Sequence, residues 1–324
     1  MQVRLGLQPE LHPQKERART WAVLLFVAYL LQLVVEWSMI RLTQDESGRW
    51  IASTAENPDG WVGAFLLISL LFGLVCSIGF VWTFMRRRRQ WNAYGSVQEL
   101  NGTDFVYMIA WLQVLLTIQY FVYGLFLPFP AFAEGSAAGM LESASFQICI
   151  MLVALFLFKG RWAELGFTKP KHVGRMIAML LVLFGFIIFA LDLLVTTPLS
   201  DLLDLSLASE REQQIESEIL QAKASDWLNG LMSVVMTGIF VPIAEEVLFR
   251  GVIQTYLVRR WGAFLGILVS SIWFASVHID VALFVPLFTI SVAIGYMRHR
   301  FDSIWPAILL HSMNNLASVA FYFI

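Results

Sequence analysis

Two adjacent carboxylates, with an arginine four residues after the second, directly follow a long apolar segment. The segment reads WLNGLMSVVMTGIFVPIA and continues as EEVLFR, so Glu245, Glu246 and Arg250 come after a stretch with no ionisable residue. Glu246 and Arg250 share a helical face, and an ion pair with Arg250 reaching towards lipid headgroups would account for both. Glu245 points about 100° away. Its carboxyl is therefore either protonated in an apolar site or directed at other polar partners.

Two later motifs carry histidines on predicted helices. FASVH contains Phe274 and His278, and HSMNN contains His311, Asn314 and Asn315. Phe274 lies one turn before His278 on the same face, where packing is its ordinary role, and His311 shares a face with Asn315. Asn314 faces another direction. Taken singly, each motif is explained by a core histidine or by hydrogen bonds between helices.

The three motifs together have a chemistry that none has alone. A carboxylate, two histidines and an asparagine from separate helices can hold a water molecule, remove its proton and donate hydrogen bonds to an oxyanion. Imidazole and carboxylate also suit zinc, so a divalent metal is a possible cofactor, although no cofactor is firmly predicted. The HExxH pattern of soluble zinc proteases does not occur in the sequence.

The composition indicates that the helices carrying these residues lie in a membrane. Of the 324 residues, 58% are hydrophobic and 14% are charged, against about a quarter charged in ordinary soluble domains. The net charge is −2 with no basic domain, so nucleic acid is not an expected partner. Cys76 and Cys149 stand in apolar runs, and they indicate no disulfide framework.

Apolar runs predict an all-α, polytopic membrane protein with about eight or nine transmembrane helices. The fourth run is short, and only HID separates the seventh from the eighth. The predicted spans are 21–40, 61–85, 105–128, 143–158, 176–198, 227–249, 262–279, 281–297 and 303–323. Ionisable residues inside them are few, namely Glu36, Asp192, Glu245, Glu246, His278 and His311.

The distribution of basic residues predicts a cytoplasmic N-terminus. With that orientation, 17 basic residues fall on inner segments, among them Arg4, Lys15 and Arg86–Arg89. Outer segments hold only Arg41, Arg49, Arg211 and Lys223. Such an excess on one side follows the positive-inside rule.

The chain is expected to have two parts. Residues 1–158 hold about four spans, and residues 159–324 form the part that carries the three motifs. The loop 199–226 is acidic and has the composition of a helix, which suits a solvated cap or a lid at the substrate rim.

The order of the three motifs resembles the CAAX-protease and bacteriocin-processing (CPBP, or Abi) family of intramembrane endopeptidases. The resemblance covers roughly residues 227–324, and more loosely the chain from residue 160. It implies that Glu245 is the general base that activates water and that His278 helps to hold this water. By the same resemblance His311 and Asn315 stabilise the oxyanion, Glu246 pairs with Arg250 as support, and the second motif includes Phe274.

The predicted spans conflict with that assignment in one respect. They place Glu245 near the inner end of its helix and His278 near the outer end of the next, roughly 20 Å apart. Both must lie within a few ångströms of one water molecule. We therefore expect the boundaries within 251–279 to shift, or those helices to be tilted or broken.

The resemblance implies an integral membrane protein whose substrate is a membrane-associated protein or peptide, which the family name suggests is lipidated in some members. The membrane is the plasma membrane in a bacterium or the endoplasmic reticulum in a eukaryote. Two other functions stay open. One is a proton-coupled transporter with a Glu and His relay, and the other is an inactive scaffold or immunity protein.

Overall fold

The computed structural model describes residues 13–55, 57–91 and 99–322, and helices account for most of them. The helices are α1 (Pro13–Ser38), α2 (Gly60–Trp91), α3 (Gly102–Leu125), α4 (Ala137–Ser143), α5 (Ser145–Leu157), α6 (Val173–Phe189), α7 (Thr197–Leu202), α8 (Glu210–Ser225), α9 (Trp227–Val235), α10 (Val241–Glu246), α11 (Thr255–Ser276), α12 (Val281–Phe301) and α13 (Trp305–Phe321). A 3₁₀ turn covers Trp162–Leu165, and π-helical turns cover Asp192–Thr196, Met236–Phe240 and Val247–Gln254. The predicted all-α class is confirmed.

Five helical segments among the described residues are long and apolar enough to cross a membrane, and the number rises to seven if each of two bent helix pairs counts as one span. The five are Arg17–Ser38, Gly60–Arg86, Gly102–Leu125, Trp227–Ser276 and Val281–Phe301. The bent pairs are α4 with α5, at 66°, and α6 with the segment Asp192–Leu202, at 57°. These numbers are below the eight or nine spans that the sequence predicted.

Two features account for the difference. The segment Trp227–Ser276 is broken at Gly262, whose φ of 83° and ψ of 168° are not helical, so it holds two helices rather than one. Helix α13 has 17 residues and is about 26 Å long, less than the ~30 Å thickness of the hydrocarbon core. The predicted orientation stays a prediction. Arg4 and the side chains of Lys15 and Arg87–Arg89 lie outside what the structure describes.

The run before Gly262 also corrects the predicted span 227–249. Helical turns continue without interruption from Trp227 to Trp261, so Glu245 lies near the middle of this run and not at its end. Pro242 lacks an N–H and would clash with the carbonyl one turn before it in a regular helix. The wider π turn at Met236–Phe240 ends two residues before this proline.

Three apolar clusters hold the helices together. One joins α1, α2 and α3, and another joins α6, α12 and α13. The largest joins α3 and α5 to the segment 244–257, with Phe274 and Ile308. This last cluster crosses the predicted boundary between residues 158 and 159, so residues on both sides of it share one core.

One end of the bundle, which we call the hairpin end, carries a short antiparallel β-hairpin that the sequence did not predict. Its strands are β1 (Ile40–Gln44) and β2 (Trp50–Thr54). Helix α8 lies at the same end, where the Ser209 hydroxyl before it donates to Asp280 Oδ2 at 2.6 Å. Asp280 in turn caps α12. The acidic loop is therefore helical, as its composition indicated, and it contacts the turn that joins α11 to α12.

The break at Gly262 requires a close approach of two backbones. A Cβ on Gly266 would lie 2.5 Å from the backbone nitrogen of Val258, and this backbone has no freedom to move aside as a side chain would. We expect Gly266→Ala to lower the free energy of unfolding by about 1–3 kcal/mol, the usual cost of overpacking. Thermal unfolding in detergent measures the effect.

The matched control is Gly185→Ala in α6, where an added Cβ would meet nothing within 4 Å. Equal melting temperatures for the two variants would contradict this account of the break.

Candidate active site

Arg250 and Glu246 form a buried ion pair at the centre of the site. Their side chains are 1% and 0% exposed, and Arg250 Nη1 donates to Glu246 Oε1 at 3.0 Å. Arg250 Nη2 donates to the carbonyl and the hydroxyl of Ser291, at 3.0 and 2.8 Å. The guanidinium carbon also lies 4.8 Å from the centre of the Phe274 ring. Arg250 thus points into the bundle, and the expectation that it reaches the lipid headgroups was wrong.

Glu246 also orients His311. Its Oε1 atom lies 2.8 Å from His311 Nδ1. The same oxygen accepts from Arg250, so it acts as an acceptor and the imidazole nitrogen as the donor. The other ring nitrogen of His311, Nε2, is directed towards Glu245, 3.8 Å from Oε2. One carboxylate therefore fixes the ring, and its neighbour in the sequence faces the free nitrogen.

Glu245 is held by a residue that the sequence analysis did not identify. Gln147 Nε2, on α5, donates to Glu245 Oε1 at 3.1 Å. Gln147 lies in the predicted fourth span, and its side chain is neutral, unlike the ionisable residues that marked the candidate site. An amide in an apolar helix was the available signal.

Phe274 and His278 complete the wall of the site. The Phe274 ring is buried, and its centre lies 4.8 Å from that of His278 and 5.8 Å from that of His311. His278 Nδ1 lies 2.7 Å from the Phe274 carbonyl oxygen, which can only accept, so Nδ1 carries the proton. Nε2 is then left to accept a hydrogen bond.

His278 belongs to the short turn between α11 and α12, outside the spans. Burial lowers its pKa to about 4, and the nearby Glu245 carboxylate opposes this shift without cancelling it. The ring is therefore neutral at pH 7.

Asn315 lies one turn after His311 and contacts the π turn before Glu245. Its Nδ2 donates to the Thr237 carbonyl at 3.1 Å. In the π pattern Val241 bonds to Met236, so the next residue, Pro242, would bond to Thr237 if it had an N–H. Asn315 thus supplies the missing donor, and one amide hydrogen stays unassigned. Asn314 donates to Asn315 Oδ1 at 3.4 Å.

The structure brings Glu245, Glu246, Arg250, Phe274 and His311 into one connected group, with His278 against Phe274. The expected 20 Å separation does not occur. Because the helical run continues to Trp261, Glu245 lies near the middle of this run rather than at its end, and the break at Gly262 returns the chain towards it.

The two histidines each leave Nε2 open to the site while Nδ1 is hydrogen-bonded, an orientation that histidine metal ligands also adopt. Each of the two histidines has Nδ1 engaged, one with Glu246 and the other with a backbone carbonyl. No group of three or more His, Cys, Asp or Glu side chains in residues 13–55, 57–91 and 99–322 is arranged to hold a metal ion. No step of the chemistry below is assigned to a metal.

Comparison with protein families supports a protease. Residues 227–317 match the model of the Rce1-like family, described as type II CAAX prenyl endopeptidase Rce1-like. The match covers 91 of the 324 residues, includes all three motifs and confirms the predicted resemblance.

This family match points in general to a CAAX-type intramembrane endopeptidase with a membrane-associated protein substrate. Together with the apolar helices, the family match identifies the chain as an integral membrane protein. Comparison with curated proteins and with solved structures gave no match.

The buried pair generates a prediction about stability. Arg250→Met leaves the Glu246 carboxylate buried without its cation, so we expect a loss of about 3–5 kcal/mol in the free energy of unfolding. Thermal unfolding of the purified protein measures the loss.

Arg259→Met is the matched control, because Arg259 is 40% exposed and lies 3.8 Å from Glu99. That variant should lose less than about 1 kcal/mol. Similar losses in both variants would show that the buried pair does not support the site.

Proposed function

We propose that this chain is an intramembrane endopeptidase in which Glu245 activates the water that hydrolyses a peptide bond. The observation that carries the proposal is the gap between Glu245 Oε2 and His311 Nε2. At 3.8 Å it is too wide for a direct hydrogen bond, and both atoms are oriented by other partners. A reacting group placed beside this gap meets a base and a hydrogen-bond donor together. The Rce1-like match over the same residues supports the reaction class.

The water is assigned to Glu245 and His278. A water molecule that donates one hydrogen to the Glu245 carboxylate and the other to the unprotonated Nε2 of neutral His278 keeps its lone pairs for attack. Gln147 and the surrounding core keep the carboxylate in one orientation. A positioned general base of this kind contributes about 10²–10⁴-fold to a rate.

The oxyanion is assigned to His311 and Asn315. In the reaction His311 carries a proton on both ring nitrogens, so that Nδ1–H donates to Glu246 and Nε2–H donates to the oxyanion. Asn315 supplies its second Nδ2 hydrogen, since the first is engaged by Thr237. Donors that are fixed before the reaction do not reorganise as charge develops.

The protons balance without a cofactor. Water oxygen bonds to the carbonyl carbon, its proton passes to Glu245, and the carbonyl electrons form the oxyanion. When the tetrahedral intermediate collapses, the carbon–nitrogen bond breaks and Glu245 returns the proton to the leaving amine. The products are a carboxylic acid and an amine, and transfer of the acid's proton gives a carboxylate and an ammonium ion.

The role of Glu245 as the base is tested by removing its charge. Glu245→Gln keeps the shape of the side chain and removes the base, so we expect cleavage to fall by at least about 100-fold. The measurement compares new peptide N-termini, by mass spectrometry, in membranes from cells that contain wild type or variant at matched levels. Glu218→Gln, an acid on α8, is the control and should retain the wild-type termini.

Termini that are present in wild type and in Glu218→Gln, but lost in Glu245→Gln, support the proposal. Identical termini in all three, with the proteins equally folded, would contradict the glutamate-base mechanism. The transporter and scaffold alternatives would then be tested.

A further prediction concerns Gln147 as a positioning residue. Gln147→Leu removes the hydrogen bond to Glu245, so kcat should fall roughly 10- to 100-fold, because bonds to charged groups contribute about 1.5–3 kcal/mol. KM should not change, since Gln147 is not expected to contact the substrate. The assay uses the purified full chain in lipid nanodiscs and a substrate identified from the termini.

Gln119→Leu is the matched control, because Gln119 makes a similar bond at 3.0 Å to Ser145 Oγ. Equal kcat values for the two variants would refute the positioning role, as would a loss in Gln147→Leu that only follows a lower melting temperature.

A further inference from the structure

Glu36 is an ionisable residue inside a membrane span for which the proposed mechanism has no use. It lies two residues before the end of α1, at the hairpin end of the bundle. Acidic residues within spans are rare because they are costly in a membrane, and they ordinarily serve a function. Glu36 also lies outside the segment that matches the endopeptidase family.

Two polar side chains donate hydrogen bonds to Glu36. Tyr120 donates its hydroxyl to Glu36 Oε1 at 3.0 Å, and Gln32 Nε2 donates to the same oxygen at 3.3 Å. Gln113 Nε2 in turn donates to Gln32 Oε1 at 3.0 Å. A chain of donors that ends on one carboxylate favours a negative charge there. Within the described part of the chain, Glu36 Oε2 receives no hydrogen bond.

Glu36 lines a cavity of about 170 Å³ beside the proposed active site. The cavity lies between α1, α3, α5 and the end of α11, and its wall includes Gln32, Tyr120, Phe146 and Val277. Phe146 directly precedes Gln147, which holds Glu245, and Val277 directly precedes His278. The cavity and the catalytic groups are therefore neighbours on two separate elements.

The walls of the cavity are held in place by hydrogen bonds between helices. Trp37 Nε1, next to Glu36, donates to the Ser276 carbonyl at 2.9 Å. Trp273 Nε1 donates to the hydroxyl of Tyr29, another lining residue, also at 2.9 Å. Both bonds join α1 to the helix that leads to His278. The cavity has room for roughly five or six groups the size of a water molecule. Together these groups are about the size of one long side chain.

We propose that this cavity is a substrate subsite that receives a lysine or arginine side chain and pairs it with Glu36. The inference rests on the proposed endopeptidase function. The carboxylate and its donors give the cavity an acceptor and a negative charge, so a cationic donor complements both. An uncharged occupant would cover the half-buried Glu36 carboxylate without giving it a counter-charge.

The position of the cavity within the bundle agrees with such an occupant. Glu36 near the end of α1 and His278 just beyond α11 lie at the hairpin end. Membrane segments carry lysine and arginine at their ends, where long side chains reach the interface. A substrate that brings the end of its apolar segment to His278 would bring such a residue to the level of Glu36.

The test begins with the cleavage sites of the wild-type protein, defined as termini that are lost in Glu245→Gln. We expect lysine or arginine to be enriched at one fixed position relative to the cleaved bond. Glu36→Gln should abolish this enrichment, and Glu36→Lys should replace it with aspartate or glutamate. Glu218→Gln, the matched acid-to-amide control, should leave it unchanged.

Purified protein in nanodiscs then gives the size of the effect. Two synthetic substrates that differ only by lysine or methionine at that position should differ about tenfold or more in kcat/KM with wild type, in line with a charged hydrogen bond. With Glu36→Gln the ratio should approach one, and cleavage of the methionine substrate should persist. This second result shows that the variant is folded and active.

The outcomes separate the two proposals. If no termini depend on Glu245, the endopeptidase function fails and the subsite fails with it. If such termini exist but show no basic preference, or show one that Glu36→Gln does not change, the subsite alone is refuted.

Discussion

The site depends on the buried pair of Glu246 and Arg250. Removing two charges from water costs several kcal/mol for each ion, so the pair depends on the hydrogen bonds made by Arg250 and by Glu246 Oε1, while Glu246 Oε2 is buried with no hydrogen-bond partner among the described residues. Ser291 accepts from Arg250, and His311 shares the oxygen of Glu246 that Arg250 contacts. The pair thus joins the helical run that follows Trp227 to α12 and α13, and it turns one imidazole nitrogen towards Glu245. The two adjacent carboxylates therefore differ in their surroundings. Glu246 is neutralised by Arg250 within the core, and Glu245 is left available to other groups in the site.

Helix irregularities make this arrangement possible. The π turn before Pro242 leaves the Thr237 carbonyl without a backbone donor, and Asn315 fills that position from α13. The non-helical backbone at Gly262 returns the chain to the site within one pair of helices, which a continuous segment of 50 residues could not do. Irregular backbone is tolerated in a membrane protein where other polar groups satisfy it. The N-terminal helices are part of the same construction, because Gln147 reaches Glu245 from outside the segment that matches the endopeptidase family.

Periodicity and spacing predicted much of this structure, because they depend on local sequence. Apolar runs located most helices within a few residues, and the i, i+4 pair of Glu246 and Arg250 lies on one face as expected. The sequence placed the end of the helix that carries Glu245 too early, because an arginine beside an apolar segment ordinarily marks the end of a membrane span. Arg250 is buried instead because Ser291, 41 residues away, satisfies its other nitrogen. Gln147 could be noticed as an amide in an apolar helix, but its bond to Glu245 could not be predicted, since the two residues are 98 positions apart.

The central claim is that Glu245 and His278 hold the hydrolytic water while His311 is fixed by Glu246. A high-resolution experimental map of the wild-type protein in a lipid nanodisc tests it most directly. The account predicts an ordered water within about 3 Å of both the Glu245 carboxylate and His278 Nε2, with no metal density between the histidines. A metal ion bound by the two imidazoles would contradict it, and so would a Glu245 carboxylate turned away from His311.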